Sequence, residues 1–382
     1  MQKLEQSEEL ELFFNSIRSK DTRSKYTAYM KKYLEITGKD ITSLLAEKDP
    51  RTIERQIINF INEMKDKGKN WGAIHNYVSM VLAFYKINDI VLNVAKINKF
   101  MPEQRKVKKD RGYYHEEIAK MLEFCDERTR CIILLLASTG MRIGGIPLLR
   151  VGNLDNYKIT VYENDKEEYF TFITPECKQA IDSYLEMRSR YGEKITSESF
   201  LIREQFDVRD KFKIARCRGM ARETLQWKLK DVAKRSNMAK QVPIAHGFRK
   251  FFTTQLVNSK INPEIREMLL GHKIGLASAY YRPTEEDMYA EYQKAVNNLT
   301  INEENRLRIE VQKLEAEKDK FDAFAFNVAN NFRNIEERLM KLTAEGKPVT
   351  NDEFADALDK YGITPSFGFG NKTGKVVLGS QK

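Results

Sequence analysis

Residues Ala245 to Pro283 read AHGFRKFFTTQLVNSKINPEIREMLLGHKIGLASAYYRP, and the reading of the whole chain turns on them. His246 and Arg249 stand in an H-x-x-R spacing, Gly271-His272 follow an apolar run, and Tyr280-Tyr281 close the stretch. The chain has 4 histidines, and two of them fall here. Residues three apart on a helix share one face. Arginine offers a planar fork of donors suited to phosphate oxygens, and histidine moves a proton near neutral pH. A tyrosine hydroxyl beside them is a candidate nucleophile on phosphorus. These residue types together point to phosphoryl transfer without a metal.

Upstream of that stretch, residues 203–235 carry eleven Lys or Arg against five acids, interleaved with Phe206, Phe212 and Trp227. Basic residues mixed with aromatics favour nucleic-acid contact over plain solubility. The balance of the whole chain agrees: Lys and Arg number 65 against 55 Asp and Glu, for a net charge of +10. Such a balance suits a polyanionic partner, although a basic surface also serves solubility.

Residues 157–173, YKITVYENDKEEYFTFI, change from helical period to alternation. Ile159 and Val161 on one side and Tyr169, Phe170 and Phe172 on the other flank a polar Asn164-Asp165-Lys166 turn, which reads as a β-hairpin with Lys166 at its tip. Before it, His115–Phe124 and Thr129–Ser138 read as helices, the second apolar enough to be buried. That helix runs into Thr139-Gly140-Met141-Arg142. An arginine emerging there is either held by a carboxylate in the core or aimed at an anion.

The first hundred residues are helical by period. Asp21-Thr22 is a possible cap for a helix bearing Tyr26, Tyr29, Tyr33 and Leu34, which Gly38 ends. Arg51–Lys65 and Asn70–Tyr85 repeat the pattern, and these stripes read as core. Asn98–Arg111 is predominantly basic and contains Pro102. It reads as a linker, either simply solvated or following a phosphate backbone.

Pro283-Thr284-Glu285-Glu286 has the makings of a helix start. From Leu307 a heptad runs through Val311, Leu314, Lys318, Phe321, Ala325, Val328, Phe332, Ile335, Leu339 and Leu342, with ten of eleven positions apolar. This predicts a coiled coil, against the alternative of a long helix lying on the preceding domain. The tail ending GNKTGKVVLGSQK is expected to be disordered.

Cys125, Cys131, Cys177 and Cys217 form no C-x-x-C pair, so they are expected to be reduced thiols and not a zinc site. The start, MQKLEQSEELELFF, lacks the basic opening and apolar run of a signal peptide. No apolar stretch approaches the roughly 20 residues that cross a bilayer. The expectation is a soluble intracellular protein without a membrane partner.

These motifs, in this order, resemble those of the tyrosine recombinases, the class of phage integrases and Xer proteins, over about residues 8–297. STGMRIGG looks like the family's first-arginine motif, which gives that role to Arg142. HGFRK matches H-x-x-R, giving His246 and Arg249, and LLGHK matches the L-G-H motif, giving His272. The family's nucleophilic tyrosine lies nine residues after that histidine, which selects Tyr281, with Tyr280 as the fallback. The hairpin lysine maps onto Lys166. Two departures stand out. Gly145 occupies the place of an acid three residues after the first arginine, and Glu163 the place where many relatives carry a lysine.

The resemblance implies a mainly α fold with a small β-hairpin or sheet. Its parts would be a helical core-binding (SAM-like) domain at 8–100, a basic linker at 101–112, a catalytic domain at 113–297, a coiled coil at 303–345 and a tail at 346–382. It also implies a site-specific recombinase that cleaves and rejoins double-stranded DNA through a 3′-phosphotyrosine and needs no cofactor or metal. Such an enzyme would act as a homotetramer through a Holliday junction, associated with the nucleoid of a prokaryotic host, and its coiled coil would add self-association. The role expected first is integration or excision of a mobile element. A Xer-type resolvase of chromosome or plasmid dimers is the second reading, and a DNA-binding accessory protein without catalysis is a third.

Overall fold

A computed structural model describes residues 7–104, 110–238, 242–275 and 281–344. The chain forms two compact units, Met1–Lys109 and Asp110–Lys382.

The first unit is helical: α1 (Glu8–Asn15), α2 (Lys20–Thr37), α3 (Ile41–Ala46), α4 (Pro50–Asp66), α5 (Trp71–Ile87) and α6 (Val94–Asn98). The apolar stripes converge on one core that includes Tyr33, Ile57, Phe60, Ile61, Val81 and Phe84. Tyr29 is only half-buried and lies against Tyr77 with ring centroids 4.5 Å apart. The start of α2 differs from the sequence reading. Its cap is Ser19, whose hydroxyl accepts from the Thr22 N–H, and not Asp21-Thr22. A cap needs extended backbone ahead of the first turn; Ser19 has it, at φ −83 and ψ 124, while Asp21 and Thr22 are already helical. Gly38 ends this helix in the left-handed conformation, as expected.

The second unit comprises α7 (His115–Glu123), α8 (Glu127–Thr139), β1 (Leu154–Asp155), β2 (Lys158–Val161), β3 (Tyr169–Phe172), α9 (Pro175–Arg190), α10 (Lys211–Ala215), α11 (Arg222–Arg235), α12 (Ile244–Asn258), α13 (Pro263–Leu269), α14 (Glu285–Leu299) and α15 (Glu303–Ala344). It is therefore mainly α with one small three-stranded antiparallel sheet, ordered β1-β2-β3. The strands of the expected hairpin pair from Lys158↔Phe172 to Val161↔Tyr169. Apolar around its whole circumference from Cys131 to Ala137, α8 is buried there between α9 and α12. Its C-terminal end thus opens among elements far apart in sequence, and the site lies there.

Arg188 and Arg203 are fully buried and share the carboxylate of Glu193 at 2.6 and 2.7 Å. Both guanidinium groups also donate to main-chain carbonyls, so the buried charges are paired and hydrogen-bonded. At the start of the unit, Arg111 pairs with Glu117 at 2.6 Å and Lys250 with Asp110 at 2.7 Å. Part of the expected linker therefore packs on this unit, while residues 105–109 lie outside the described residues.

Thr284 caps α14 and forms a capping box with Asp287, so Pro283 precedes the cap and does not occupy the first helical position. The heptad segment is one continuous helix, α15. Its described side chains are exposed or half-buried, so the seam as far as Phe332 is not laid against the preceding domain. Leu314 and Phe321 on the seam are exposed, and so are Phe324 and Phe326 off it. The tail from residue 345 onward lies outside the described residues.

Candidate active site

The site begins where α8 stops. Gly140 ends the helix with φ 59, its N–H bonded to the Leu136 carbonyl. A Cβ here would stand 2.4 Å from Phe252 Cδ1 of α12, so both the backbone angle and the space require glycine. The chain then turns through Arg142, which is extended at φ −69 and ψ 136 with an exposed side chain. Arg142 lines a cavity of about 310 Å³ with Tyr162, Arg222, His246 and Arg249, and no carboxylate is among the lining residues. Of the two readings open for Arg142, the anion-directed one has the matching surroundings.

His246 and Arg249 lie one turn apart in α12 and reach this cavity together. Arg249 is nearly buried, with 7% of its surface exposed. It donates to the Gly140 carbonyl at 2.8 Å, to the Leu270 carbonyl at 2.7 Å and to His272 Nε2 at 2.7 Å. Burial, and next the charge of Arg142, press its pKa below the ordinary arginine value. Two guanidinium groups that repel each other in a pocket without an acid are relieved by an incoming anion. His246 is exposed at the rim, and partial desolvation followed by the charges of Lys250 and Arg249 lowers its pKa, against an opposing pull from Asp110. A histidine so placed is neutral at pH 7 and able to accept a proton.

His272 is delivered by the end of α13. The His272 N–H bonds back to the Glu267 carbonyl at 2.9 Å and the Gly271 N–H to that of Met268 at 2.8 Å, with Gly271 at φ 66. This is the six-to-one and five-to-two pairing of a Schellman motif. A Cβ on Gly271 would come within 2.5 Å of the Tyr169 ring in β3, so sheet and helix end approach closely through this glycine. The Tyr169 phenol lies beside Arg249, and burial pushes its pKa to about 12. Below the backbone turn, His272 Nδ1 sits 2.6 Å from Glu267 Oε2.

Lys166 lies in the turn after β2, exposed, and lines a second cavity of about 460 Å³ together with His272. Two other lysines line it, but Lys158 is paired with Glu285 at 2.5 Å and Lys273 with Glu167 at 3.7 Å. Among the described residues, Lys166 has no carboxylate partner. Glu163 accepts from the Asn153 amide at 2.7 Å and so braces the hairpin.

Tyr281 is half-buried against the core of the second unit and is absent from the lining of both cavities. Tyr280 lies outside the described residues. The structure thus gathers Arg142, His246 and Arg249 in one cavity, joins His272 to Arg249 and sets Lys166 beside His272, while Tyr281 stands apart. Three residues escaped the sequence reading: Tyr162, Arg222 and Glu267. Tyr162 has φ 58, rare for a bulky residue, which no sequence pattern announces. Arg222 begins α11 within the basic patch, indistinguishable there from its neighbours. Glu267 had a usable signal: it stands five residues before His272, with a glycine between them that can turn the chain back.

Comparison with known proteins bears on this arrangement. Residues 112–287 match the phage integrase family. The tyrosine recombinase XerD of Oceanobacillus iheyensis is 23% identical over 308 residues, covering 74% of this chain and 97% of its own. Among solved structures, a lambda integrase dimer bound to a COC' core site superposes with a TM-score of 0.52 at 16% identity, covering 72% of this chain and 95% of that one. The Tn1549 transposon integrase in complex with transposon right end DNA gives 0.51 at 18% identity, covering 75% and 98%. These likenesses are of fold, and the family match spans the segment that carries the arginine, histidine and tyrosine motifs. Residues 112–287 therefore form a phage integrase domain, the domain of the tyrosine recombinases.

Proposed function

We propose that the chain is a site-specific DNA recombinase that integrates or excises a mobile element. The observation that carries this reading is the cavity where Arg142, Arg249 and His246 meet without a carboxylate. A phosphodiester there is held by two guanidinium groups as charge grows on its nonbridging oxygens. The phenol oxygen of Tyr281 attacks phosphorus in line; the bond to the 5′-oxygen breaks, and a 3′-phosphotyrosine and a free 5′-hydroxyl result. Free tyrosine has a pKa near 10, so its proton needs an acceptor, and neutral His246 serves. Lys166 gives its proton to the leaving oxygen, and His272 steadies the phosphate. Attack by a 5′-hydroxyl of another strand on the phosphotyrosine reverses the chemistry and rejoins DNA without ATP.

Tyr281 stands outside the cavities in this chain alone, so this reading has the tyrosine move or be supplied by another protomer. Four protomers on two duplexes, with a Holliday junction between the strand exchanges, complete the reaction. A solved lambda integrase tetramer bound to a Holliday junction has this fold, at a TM-score of 0.51. In the same reading the apolar seam of α15 joins protomers.

The test is a nicked duplex taken from the DNA flanking the gene, on which the cleaved strand is lost by diffusion. A covalent protein–DNA species that survives denaturation supports the reading. Tight binding without that species would make the chain a DNA-binding accessory protein. A second role, resolution of chromosome or plasmid dimers, is favoured by the match to nearly the full length of a XerD protein. A tRNA gene and direct repeats beside the gene would decide for integration.

A further inference from the structure

Glu267 holds one of the two hydrogen bonds that fix the His272 ring, and nothing so far assigns it a role. Its carboxylate oxygen Oε2 lies 2.6 Å from Nδ1, and Arg249 lies 2.7 Å from Nε2 on the other side of the ring. A guanidinium only donates, so Nε2 must accept from Arg249. The proton of the neutral ring is then on Nδ1, where it is donated to the carboxylate. The backbone arranges this locally: the Schellman turn folds His272, two residues past the helix cap, over Glu267, three before it. In such turns an apolar pair frequently occupies these two positions. Here a carboxylate and an imidazole do. Arg266 bonds the other carboxylate oxygen at 3.2 Å, which keeps the acid ionised and orients it. The hydrogen bond from His272, and after it Arg266, hold the Glu267 carboxyl below the usual carboxylate range.

We propose that Glu267 is a positioning residue for the phosphate site: it locks His272 with the proton on Nδ1 and Nε2 turned toward Arg249. This rests on the recombinase reading for its functional meaning, but the geometry stands on its own. One consequence concerns Arg249. Besides its two carbonyl partners, it is steadied by a neutral imidazole whose far side is anchored to an acid. A carboxylate bonded directly to Arg249 would compete with the phosphate for the guanidinium. Set one ring away, Glu267 orients the arginine and leaves its charge available. A second consequence concerns His272. When the ring takes up a second proton, Nε2–H faces Arg249 and the contact must open. The carboxylate remains beside the imidazolium, and Nε2–H is free to donate to a phosphate oxygen.

The experiment uses full-length protein labelled with ¹⁵N-histidine, with the His272 signals assigned from a His272→Gln variant. Wild type should show the neutral His272 ring as the Nδ1–H tautomer. In Glu267→Ala that preference should be lost, and cleavage of the nicked duplex should fall by on the order of tenfold, the lower end of what loss of an outer carboxylate on a working histidine does. Glu267→Gln keeps an accepting oxygen and should recover both the tautomer and most of the cleavage. An Nε2–H tautomer in the wild type overturns the proposal without any variant. So does a Glu267→Ala spectrum like that of wild type, or a changed tautomer with cleavage unaltered. If the tautomer responds as expected but wild type forms no covalent DNA species, the Glu267–His272 lock stands and the recombinase reading falls.

Discussion

Arg249, in the middle of α12, donates to the carbonyl oxygen of Gly140 at 2.8 Å, across 109 residues of sequence. The end of α8 and the H-x-x-R helix are thereby locked at the anion cavity. That oxygen points toward Arg249 because Gly140 is left-handed. Gly140→Ala should therefore cost more than the ordinary 1 kcal/mol or so of a strained alanine, since its methyl also meets Phe252. Denaturant unfolding should show a lower midpoint, and cleavage should fall with it.

In the proposed mechanism, the positive charge at the phosphate comes from Arg142, Arg249 and Lys166. Cleavage should persist in EDTA, and a strict Mg²⁺ requirement for strand cleavage would contradict the mechanism. Arg249→Lys keeps the charge but loses the planar fork that reaches Gly140, Leu270 and His272. Its cleavage rate should drop by about 3 kcal/mol of transition-state stabilisation, with DNA binding changed far less.

Tyr281→Phe removes one hydroxyl from a half-buried ring. Covalent attachment to a nicked duplex should vanish, while retention of the duplex in a gel-shift assay stays near wild type. If Tyr280→Phe abolishes attachment and Tyr281→Phe does not, the neighbouring tyrosine is the nucleophile.

With His246 as the proposed base, its lowered pKa sets the acid side of the pH profile. A base whose folded pKa is lowered stays neutral to a lower pH than the ordinary 6.5 or so. Its contribution to stability is complete above that ordinary value and declines as pH falls through the window toward the lowered one. Cleavage rates should follow the same sign, with the acid limb below the ordinary histidine value. Lys250→Met removes a charge that lowers the pKa and should move the limb up, whereas Asp110→Asn removes one that raises it and should move the limb down. Single-turnover rates across pH 5–8 give both shifts, at about one unit or less.

Leu314 and Phe321 are exposed on α15 at 59% and 68%. If they seal a seam between protomers, replacing both with glutamate places unpaired charge against apolar partners and breaks it. Truncation at Thr300 removes the seam altogether. Both variants should still cleave a nicked half-site but lose self-association and full strand exchange. Light scattering of the protein without DNA measures this, and equal masses for full-length and truncated chains would end the oligomer claim.

Much of this molecule is written in local patterns. The helical stripes of residues 20–87, the alternation around Ile159 and Phe172 and the buried character of α8 became the elements expected of them, and the heptad segment became a helix. Each follows from a repeat of two or 3.6 residues, which a single segment determines by itself. The cap of α2 was misplaced by two residues because Ser19, Asp21 and Thr22 are all competent, and only backbone angles choose among them.

The site is different in kind. The residue types and order of the proposed site can be read from residue 142 to residue 281, because the proposed chemistry restricts which side chains can serve. Their relations cannot. That Arg142 faces a cavity without a carboxylate, that Tyr162 and Arg222 line it, and that Tyr281 stands away from it depend on how α8, α11, α12 and the hairpin pack. The Glu267–His272 pair lies between these extremes. A glutamate, a glycine and a histidine at the end of α13 are enough to place carboxylate against imidazole. Which ring nitrogen bears the proton is fixed from both sides: Glu267 accepts from Nδ1, and Arg249, arriving from a separate helix, completes the lock by donating to Nε2.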